Sequence, residues 1–293
     1  MPLSTTGVLS PRGKHVLVTG ASSGLGRSCA LYLARTGFHV FAGVRKPSDG
    51  EELAAEAGAG SLTPVRLDVT DEASVTGALK EVAVATGDDG LWALVNNAGI
   101  AVSAPLECVT PERMRHQLDT NVVGQLTVTR ACLPLLRRTR GRIVNVTSGL
   151  GSVAVPFLGA YAAAQFAKEA MSDVLRRELR PFGIDVSVVQ PGAIMTPIWG
   201  KLSHGARAAL DELPERVVDL YRVPFNRFLH HNEQQARNSP TSPEDFARTV
   251  VRALTAESPR TRYRVGKDAR TVSVLKRVLP DRALDRHLRP ITE

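Results

Sequence analysis

Seven short apolar runs rich in β-branched residues alternate with longer amphipathic segments, and this alternation limits the fold of the chain more than any other feature. The runs cover residues 15–20, 39–44, 62–67, 91–97, 142–148, 185–190 and 262–266. The amphipathic segments, which predict helices, cover residues 24–36, 50–58, 71–86, 111–138, 160–181 and 243–256. Continuously apolar strands that alternate with helices are typical of a parallel sheet covered on both faces. We therefore predict an α/β fold, a single doubly wound domain with a seven-stranded parallel sheet.

The predicted domain occupies residues 14–266, preceded by an extension over 1–13 and followed by a basic tail over 267–293. Long segments inside compact domains usually form lids or binding loops, and residues 192–241 interrupt the alternation. This insertion is predicted to build a largely apolar substrate pocket. Its apolar side chains are Ile194, Met195, Ile198, Trp199, Leu202, Phe225 and Phe228.

The positive charge of the chain is concentrated near its carboxyl end. Residues 258–293 contain ten Lys/Arg and four Asp/Glu, a balance of +6 out of a total of +8. The remaining body is nearly neutral, so no nucleic-acid partner is expected. The apolar residues Val272, Leu275, Val278 and Leu279 recur at helical spacing, which predicts a short amphipathic helix. Such a helix either contacts an anionic membrane surface or is solvated, and we favour the solvated helix.

No stretch of the sequence resembles a signal peptide or a membrane span, because no run of 18 apolar residues exists and residues 1–14 lack an apolar centre. A cytoplasmic protein is expected. The cysteines Cys29, Cys108 and Cys132 are too few and too widely spaced for a zinc site or a disulfide framework. We therefore predict no metal.

The sequence TGASSGLG ends the first predicted strand and opens the first predicted helix. Its glycines, Gly20, Gly24 and Gly26, allow the backbone to turn sharply and approach a pyrophosphate, which the N–H groups and the dipole of a helix N-terminus attract. This strand–turn–helix context predicts a Rossmann-type dinucleotide site. The second strand is followed by Arg45 and Lys46, with no acid to bind an unphosphorylated ribose. A guanidinium binds a 2′-phosphate in a bidentate manner, so NADP(H) is predicted as the cofactor in preference to NAD.

Several ordered motifs together resemble the short-chain dehydrogenase/reductase family over about residues 14–266. They are TGASSGLG, LDVTD at 67–71, NNAG at 96–99, an asparagine at 121, a serine thirteen residues before Tyr161, and PGAIMT at 191–196. The insertion and the stretch FAGVRKP are most similar to members that act on steroid, retinoid or polyketide-like alcohols and ketones. The resemblance implies an oxidoreductase that assembles as a homodimer or homotetramer, and helices over 111–138 and 160–181 are long enough to pair with their copies.

The resemblance also implies which residues bind the cofactor. The pyrophosphate and ribose would lie against Gly20, Ser22, Ser23, Gly24, Leu25 and Gly26, with Arg45 at the 2′-phosphate. Asp68 and Val69 would contact the adenine, and Asn97, Ala98 and Gly99 would line the cofactor. The nicotinamide would be held by Pro191, Gly192, Ile194 and Thr196.

The implied catalytic residues are Asn121, Ser148 and Tyr161, together with a lysine four residues after the tyrosine, where this chain has Gln165. In these roles Tyr161 donates a proton to the substrate oxygen, Ser148 positions that oxygen, and Asn121 holds a water. A lysine would bind the cofactor ribose and stabilise a tyrosinate. Its charge about 5 Å from the phenolate would contribute roughly 3 kcal/mol, or about two pKa units. We therefore expect a catalyst weakened or redirected by Gln165, whose surviving activity favours reduction with NADPH.

Two nearby residue types are weaker candidates for the chemistry. Lys168 shares the helical face of Tyr161 to within about 20° and lies roughly 10 Å along the axis, and it is predicted to be a solvated lysine because lysines are rarely buried without a partner. The histidines His204, His230 and His231 are predicted to be polar loop residues.

The sequence leaves four functional interpretations open. The leading one is an NADPH-dependent reductase of a bulky, largely apolar ketone. The others are a redox-neutral enzyme on the same scaffold, such as a cyclase, dehydratase or isomerase, a protein that only binds NADP, and a chain in which position 165 was altered to trap a substrate. Retention of the tyrosine, serine and asparagine argues against a purely binding protein.

Overall fold

A computed structural model describes residues 7–58, 61–211 and 214–288, with the side chains at 207–209 and 211 excepted. Each of the seven predicted strands forms, with bounds within two residues of the prediction. They are β1 (His15–Thr19), β2 (His39–Val44), β3 (Leu62–Arg66), β4 (Ala93–Asn96), β5 (Arg142–Val146), β6 (Asp185–Pro191) and β7 (Arg262–Val265). The burial of β1, β2, β4, β5 and β6 explains why they read as continuous apolar runs, whereas β3 and β7 are only partly buried.

The strands form one parallel sheet in the order β3-β2-β1-β4-β5-β6-β7. The strand order reverses between β1 and β4, so a crevice opens there at the carboxyl ends of the strands, where ligands of such sheets bind. This architecture confirms the predicted doubly wound, Rossmann-type fold.

Of the six helices predicted between the strands, four agree with the structure and two differ. The observed helices are α1 (Gly24–Arg35), α2 (Pro47–Ala57), α3 (Glu72–Thr86), α4 (Pro111–Leu118), α5 (Gly124–Thr139), α6 (Gly159–Leu179), α7 (Ile198–Asp211), α8 (Glu215–Arg237), α9 (Pro243–Thr255), α10 (Lys267–Val278) and α11 (Asp281–Leu288). The helix predicted over 50–58 begins earlier, because Pro47 occupies its first turn. The helix predicted over 111–138 is divided by a π-helical turn at Asp119–Val123.

Two apolar clusters of buried residues lie on opposite faces of the sheet. Side chains of α1, α2 and α9 pack on one face, and side chains of α3, α5 and α6 pack on the other. Two helix starts are fixed by their own side chains. Asp71 accepts hydrogen bonds from Ala73 and Ser74 at α3, and Ser242 and Asp245 form a capping box at α9.

The insertion and the tail add helices to this frame. The insertion supplies α7 and α8, which lie above the carboxyl ends of the strands, and the tail supplies α10 and α11. In α10, Val272 and Leu275 are half-buried while Val278 is exposed, so the predicted apolar face is only partly covered. Within the described ranges, no helix has the length and apolar character needed to cross a bilayer.

Candidate active site

A tight turn after β1 forms the floor of the crevice. Gly20 has a φ of 66°, and a Cβ added there would lie 2.8 Å from Cα of Ala98. At Gly26 an added Cβ would collide with the carbonyl oxygen of Gly20. Both positions therefore require glycine, so that the backbone of the turn stays open to an approaching ligand.

The first turn of α1 points into this crevice. Ser23 is its N-cap residue, and among the described residues its side chain makes no capping hydrogen bond. Peptide N–H groups of the turn are thus left for a ligand, and a helix N-terminus attracts a phosphate. Ser22, Gly24 and Leu25, which complete the predicted set, are half-buried along the same turn.

The segment after β4 holds the glycine turn in place. Asn97 donates from Nδ2 to the carbonyl oxygens of Thr19 and Gly20 at 3.0 and 3.2 Å. The Thr19 hydroxyl accepts from the backbone N–H groups of Asn97 and Ala98, both at 3.0 Å. Asn97 and Ala98 thus hold the turn in place. A Cβ atom added at Gly99 would lie 3.4 Å from Nδ2 of Asn121.

Arg45 and Asp68 lie together at the end of the crevice formed by β2 and β3. Arg45 is exposed, and its charge lowers the pKa of Asp68. Partial burial raises that pKa, but hydrogen bonds from the Thr70 N–H and hydroxyl, at 3.0 and 2.7 Å, together with Arg45, hold it below its ordinary value. Val69 beside them is buried against Gly124.

The loop after β6 closes the other end of the crevice. A Cβ atom added at Gly24 would lie 3.4 Å from Cβ of Thr196, so this loop reaches the glycine turn. The Ala193 N–H donates to Asp268 of α10 at 2.6 Å, and Gly192 packs against the same carboxylate. Pro191 is buried.

The side chain of Ile194 is 3% exposed and belongs to the core cluster under α1 and α9. It therefore faces the core, away from the substrate pocket predicted for it, and only its main chain is available to a cofactor. Trp199 donates from Nε1 to the carbonyl oxygen of Ile194 at 2.9 Å, which fixes the start of α7.

Asn121 is held by the π-helical turn between α4 and α5. Its side chain is 1% exposed, accepts from the Ile100 N–H at 2.9 Å and donates to the Ile100 carbonyl at 3.0 Å. Both ends of the amide are therefore occupied by the backbone beside Gly99. π-turns of this kind often occur at functional sites. The apolar periodicity of residues 111–138 did not predict this one.

Ser148 and Tyr161 are brought together although thirteen residues separate them. Ser148 follows β5 and caps a short 3₁₀ turn, accepting from the Leu150 N–H at 3.2 Å. Tyr161 lies in the first turn of α6, and both Ser148 and Gln165 hydrogen bond to its side chain. Burial raises the pKa of the Tyr161 phenol, and these hydrogen bonds lower it only in part. The phenol is therefore protonated at neutral pH.

Gln165 lies one helical turn beyond Tyr161 and is 3% exposed. Its Oε1 is buried without a hydrogen-bond partner among the described residues. Because the tyrosine hydrogen bond remains, the Nε2 group of Gln165 is the donor to Tyr161. A neutral amide thus contacts the phenol at the position where the family resemblance implies a lysine.

The predicted exposure of Lys168 is wrong. Its side chain is 2% exposed, and Nζ donates to the carbonyl oxygen of Val146 at 2.5 Å. Burial lowers the pKa of Lys168 to about 8, against a smaller opposing effect of Glu169. The expectation of a solvent-exposed lysine was wrong because the inner face of α6 packs against the end of β5. There Lys168 donates to the carbonyl of Val146, which lies one residue beyond the last residue pair between β4 and β5.

The insertion forms an aromatic cluster over Tyr161. Phe157, Phe225 and Phe228 have ring centroids 5.2 to 6.3 Å apart. Leu202 joins them, and Tyr161 packs against the cluster with its own ring. Met195 and Ile198, also predicted for the pocket, are exposed. Phe157 lies outside the predicted insertion, and no motif in the sequence marked it.

The histidines of the insertion lie on helices, although loops were predicted there. His204 is exposed on α7, and His230 and His231 are exposed on α8. In the described part of the chain, none of the three forms a hydrogen bond or an ion pair with Tyr161 or Ser148.

Comparison with known proteins agrees with this geometry. The family model described as short chain dehydrogenase matches residues 14–207. A 3-amino-tetrahydro-pyrrolizinone reductase from Xenorhabdus hominickii is 44% identical, with 93% of each chain covered. Retinol dehydrogenase 5 from Mus musculus is 38% identical over 92% of this chain and 86% of its own length.

Solved structures also resemble the chain. A short chain dehydrogenase from Burkholderia cenocepacia in complex with NADP superposes with a TM-score of 0.71 at 28% identity, covering 96% of this chain and 99% of its own. A short chain dehydrogenase/reductase from Burkholderia phymatum in complex with NAD gives a TM-score of 0.79, covers 96% of each chain, and at 21% identity shows the fold alone.

Proposed function

Because the chain belongs to the short-chain dehydrogenase family, we propose that it reduces a ketone on a bulky, largely apolar substrate with NADPH. The observation that carries the proposal is the position of the Tyr161 phenol. It is hydrogen bonded by Ser148 and Gln165, it is protonated at neutral pH, and it lies against the aromatic cluster of the insertion.

The residues around the crevice fit a nicotinamide dinucleotide. The turn at Gly20 and Gly26 packs too closely against Ala98, Asn97 and its own backbone to carry side chains, and the N-terminus of α1 offers uncapped N–H groups to a pyrophosphate. In this site the glycine turn would hold the pyrophosphate, Asp68 and Val69 would flank the adenine, and the segment 191–196 would lie at the nicotinamide. Bound NADPH supplies a hydride.

The protein residues supply the proton and the orientation. Tyr161 donates its proton to the substrate oxygen as negative charge develops there, and Ser148 holds the same oxygen by a hydrogen bond. The phenol then recovers a proton from solvent. Per turnover, one ketone, one NADPH and one proton give one alcohol and one NADP⁺.

Arg45 supports NADPH over NADH. It is exposed at the end of β2, beside Asp68, where a 2′-phosphate on the adenosine ribose would lie. The structural relative from Burkholderia cenocepacia, bound to NADP, is consistent with this preference. The relative from Burkholderia phymatum, bound to NAD, makes the preference a property to be tested.

The aromatic cluster and the relatives support the substrate class. Phe157, Phe225 and Phe228 form a buried cluster against which Tyr161 packs, so the surroundings of the phenol are aromatic. The named relatives include a 3-amino-tetrahydro-pyrrolizinone reductase and a retinol dehydrogenase. An extended or polycyclic apolar carbonyl compound fits both observations.

Exposed apolar side chains on α5, α6 and the turn before α5 support a homo-oligomer. They are Val123, Leu126, Phe166 and Val174. Burial of such residues against a second copy would remove them from water. Size-exclusion chromatography with light scattering distinguishes a dimer or tetramer from a monomer.

The test of the proposed function is NADPH consumption on a panel of ketones containing a pyrrolizinone, a 17-ketosteroid and β-ionone. We expect alcohol and NADP⁺ in equal amounts with at least one of them. The Tyr161→Phe variant should still bind NADPH, measured by its fluorescence, and should lose at least a hundredfold in rate, as loss of a general acid predicts. Binding of NADPH without its consumption on any of the three would contradict the proposal.

A further inference from the structure

A buried lysine lies one helical turn from the amide that contacts the reacting tyrosine. Lys168 follows Gln165 by three residues on α6, a spacing that brings side chains on one helix surface within about 5–6 Å at Cβ. Both side chains are nearly inaccessible to water. An ammonium has three protons to donate, and for Lys168 the carbonyl of Val146 takes one of them.

The amide of Gln165 has one acceptor without a hydrogen-bond donor among the described residues. Gln165 donates to Tyr161 through Nε2, while its buried Oε1 has no donor in the part of the chain that the structure describes. A buried acceptor without a donor costs about 1–3 kcal/mol. Nζ of Lys168 bonds the Val146 carbonyl and not this Oε1 in the described residues, so one bridging water would connect the ammonium to the amide.

The polar side chains around Lys168 are also rich in acceptors. Asn96 donates to Thr129 and to Asn145, and Asn145 donates to Ser172, each at 2.8 to 2.9 Å. Ser172 in turn donates to the carbonyl oxygen of Lys168 at 2.6 Å. Within the described ranges, Oδ1 of Asn96 lacks a donor, and neither Oε1 nor Nε2 of Gln125 has a partner. This network reaches Lys168 only through its main-chain carbonyl oxygen.

We propose that Lys168 supplies the positive charge that stabilises the developing Tyr161 phenolate, acting through the amide of Gln165. In this arrangement Nε2 of Gln165 donates to the phenolate and Oε1 accepts from a water that the ammonium binds, so the amide dipole is aligned with both charges. Lys168 is a positioning residue, since it does not contact the substrate. The inference rests on the proposed function, because it concerns the same proton transfer.

The charge state of Lys168 depends on the groups around it. Glu169, the next residue on α6, favours the ammonium, but its carboxylate is already bound by Thr147, Gln190 and Arg262. From β7, Arg262 also pairs with Asp173 at 3.0 Å, and Arg264 lies near Glu169. From α6 itself, Tyr161 faces the same layer. With the pKa of Lys168 lowered to about 8, the ammonium is present at pH 7 and is lost as the pH rises through about 8.

The test is a double-mutant cycle in the full-length protein, measured as NADPH-dependent reduction of an active ketone from the panel. At pH 7, Lys168→Met should lower kcat by roughly tenfold to a hundredfold, the effect of a unit charge several ångströms away, and should leave KM for NADPH unchanged. Lys168→Arg, which keeps the charge, should retain most of the rate. The exposed Lys80→Met variant on α3 is the matched control and should not change it.

The second arm of the cycle separates an electrostatic role from a structural one. In the Gln165→Lys background the charge contacts Tyr161 directly, so Lys168→Met should no longer reduce kcat. Loss of rate in both backgrounds would mean that Lys168 only supports the end of β5 and would overturn the inference. The pH profile adds a second readout: the rate of the unmodified protein should fall above about pH 8, and the Lys168→Met profile should lack that limb.

The outcomes also distinguish this inference from the proposed function. If none of the four members of the cycle reduces a ketone, both the function and the inference are wrong. If the unmodified protein is inert and Gln165→Lys is active, the reductase assignment stands and Lys168 does not replace the missing charge. Equal rates for the unmodified protein and Lys168→Met at pH 7 overturn the inference alone.

Discussion

Gln165 lies one helical turn beyond Tyr161 and hydrogen bonds to its phenol, and the ring of Tyr161 packs against the aromatic cluster of Phe157, Phe225 and Phe228. A neutral amide can orient the phenol but contributes no net charge. Burial already raises the pKa of Tyr161. The phenol is therefore held in its protonated form, which is the form that ketone reduction uses.

The two reaction directions should depend differently on pH. Reduction uses the protonated phenol and should vary little between pH 6 and 8, whereas oxidation needs the phenolate and should rise about tenfold per pH unit, because the raised pKa of Tyr161 lies above this window. Initial rates with one ketone and alcohol pair provide the measurement. At pH 7 reduction should be faster. Oxidation that exceeds reduction at pH 7, or that does not respond to pH, would be inconsistent with Tyr161 as the proton donor.

Arg45 should determine the cofactor preference. The Arg45→Ala variant removes a guanidinium that is placed for a 2′-phosphate, and loss of a charge-assisted hydrogen bond costs about 1.5–3 kcal/mol. We expect the Kd for NADPH to rise roughly tenfold to a hundredfold with little change for NADH, both measured by fluorescence titration. Arg35→Ala, at the far end of α1, is the control and should alter neither. An equal increase in Kd for NADPH and NADH would show that Arg45 does not bind the 2′-phosphate.

Burial of Lys168 should also appear in the stability of the protein. The folded-state pKa of about 8 lies below the ordinary value of 10.5. Below pH 8 both the folded and unfolded chains carry the proton, so the cost of burying the charge is fully present. Between pH 8 and 10.5 the unfolded chain retains a proton that the folded chain has lost, and stability rises with pH. Relative to Lys168→Met, the free energy of unfolding should therefore increase by roughly 3 kcal/mol across this window.

Urea unfolding at several pH values from 7 to 10.5 measures this difference. The Lys168→Arg variant serves as the comparison, because a guanidinium stays charged throughout the range. Parallel curves for the unmodified protein and Lys168→Met would mean that the ammonium is not destabilised by burial.

The aromatic cluster should control recognition of large substrates. Phe228→Ala removes a ring from the group that packs over Tyr161, and the lost apolar contact corresponds to about 1.5–3 kcal/mol. KM for a bulky ketone should increase at least tenfold, while kcat/KM for cyclohexanone should change little. Phe182→Ala removes an exposed ring that follows α6 and should leave both values unchanged. A circular-dichroism melt of each variant checks that the fold is retained, and equal effects on both ketones would contradict the assignment.

The fold was predictable from the sequence because parallel strands leave a direct signal. The run at 39–44 coincides with β2 residue for residue, since both faces of that strand are buried and nearly every position is apolar. The break at Asp119–Val123 was not predictable, because a π-turn inserts one residue without changing the general helical periodicity. The early start of α2 was missed although Pro47 marks it.

The site was predictable wherever a backbone constraint required a particular residue. Gly20 and Gly26 are such positions, as their surroundings exclude a Cβ. Side-chain burial was harder to predict. Ile194 is as apolar as a pocket residue but packs into the core, and Lys168 lies in the interior because one carbonyl at the end of β5 is beyond the reach of β4. Both outcomes depend on contacts between distant segments, which local patterns do not record.

The most direct test of the central claim is transfer of label from NADPH to product. The protein is incubated with an active ketone from the panel and with NADPH deuterated at C4, using each C4 stereoisomer in turn, and the alcohol is analysed by mass spectrometry. We expect one deuterium on the former carbonyl carbon from one of the two stereoisomers, with one NADP⁺ formed per alcohol. A product without deuterium from either stereoisomer, or one formed without NADPH oxidation, would contradict hydride transfer and assign the chain to redox-neutral chemistry.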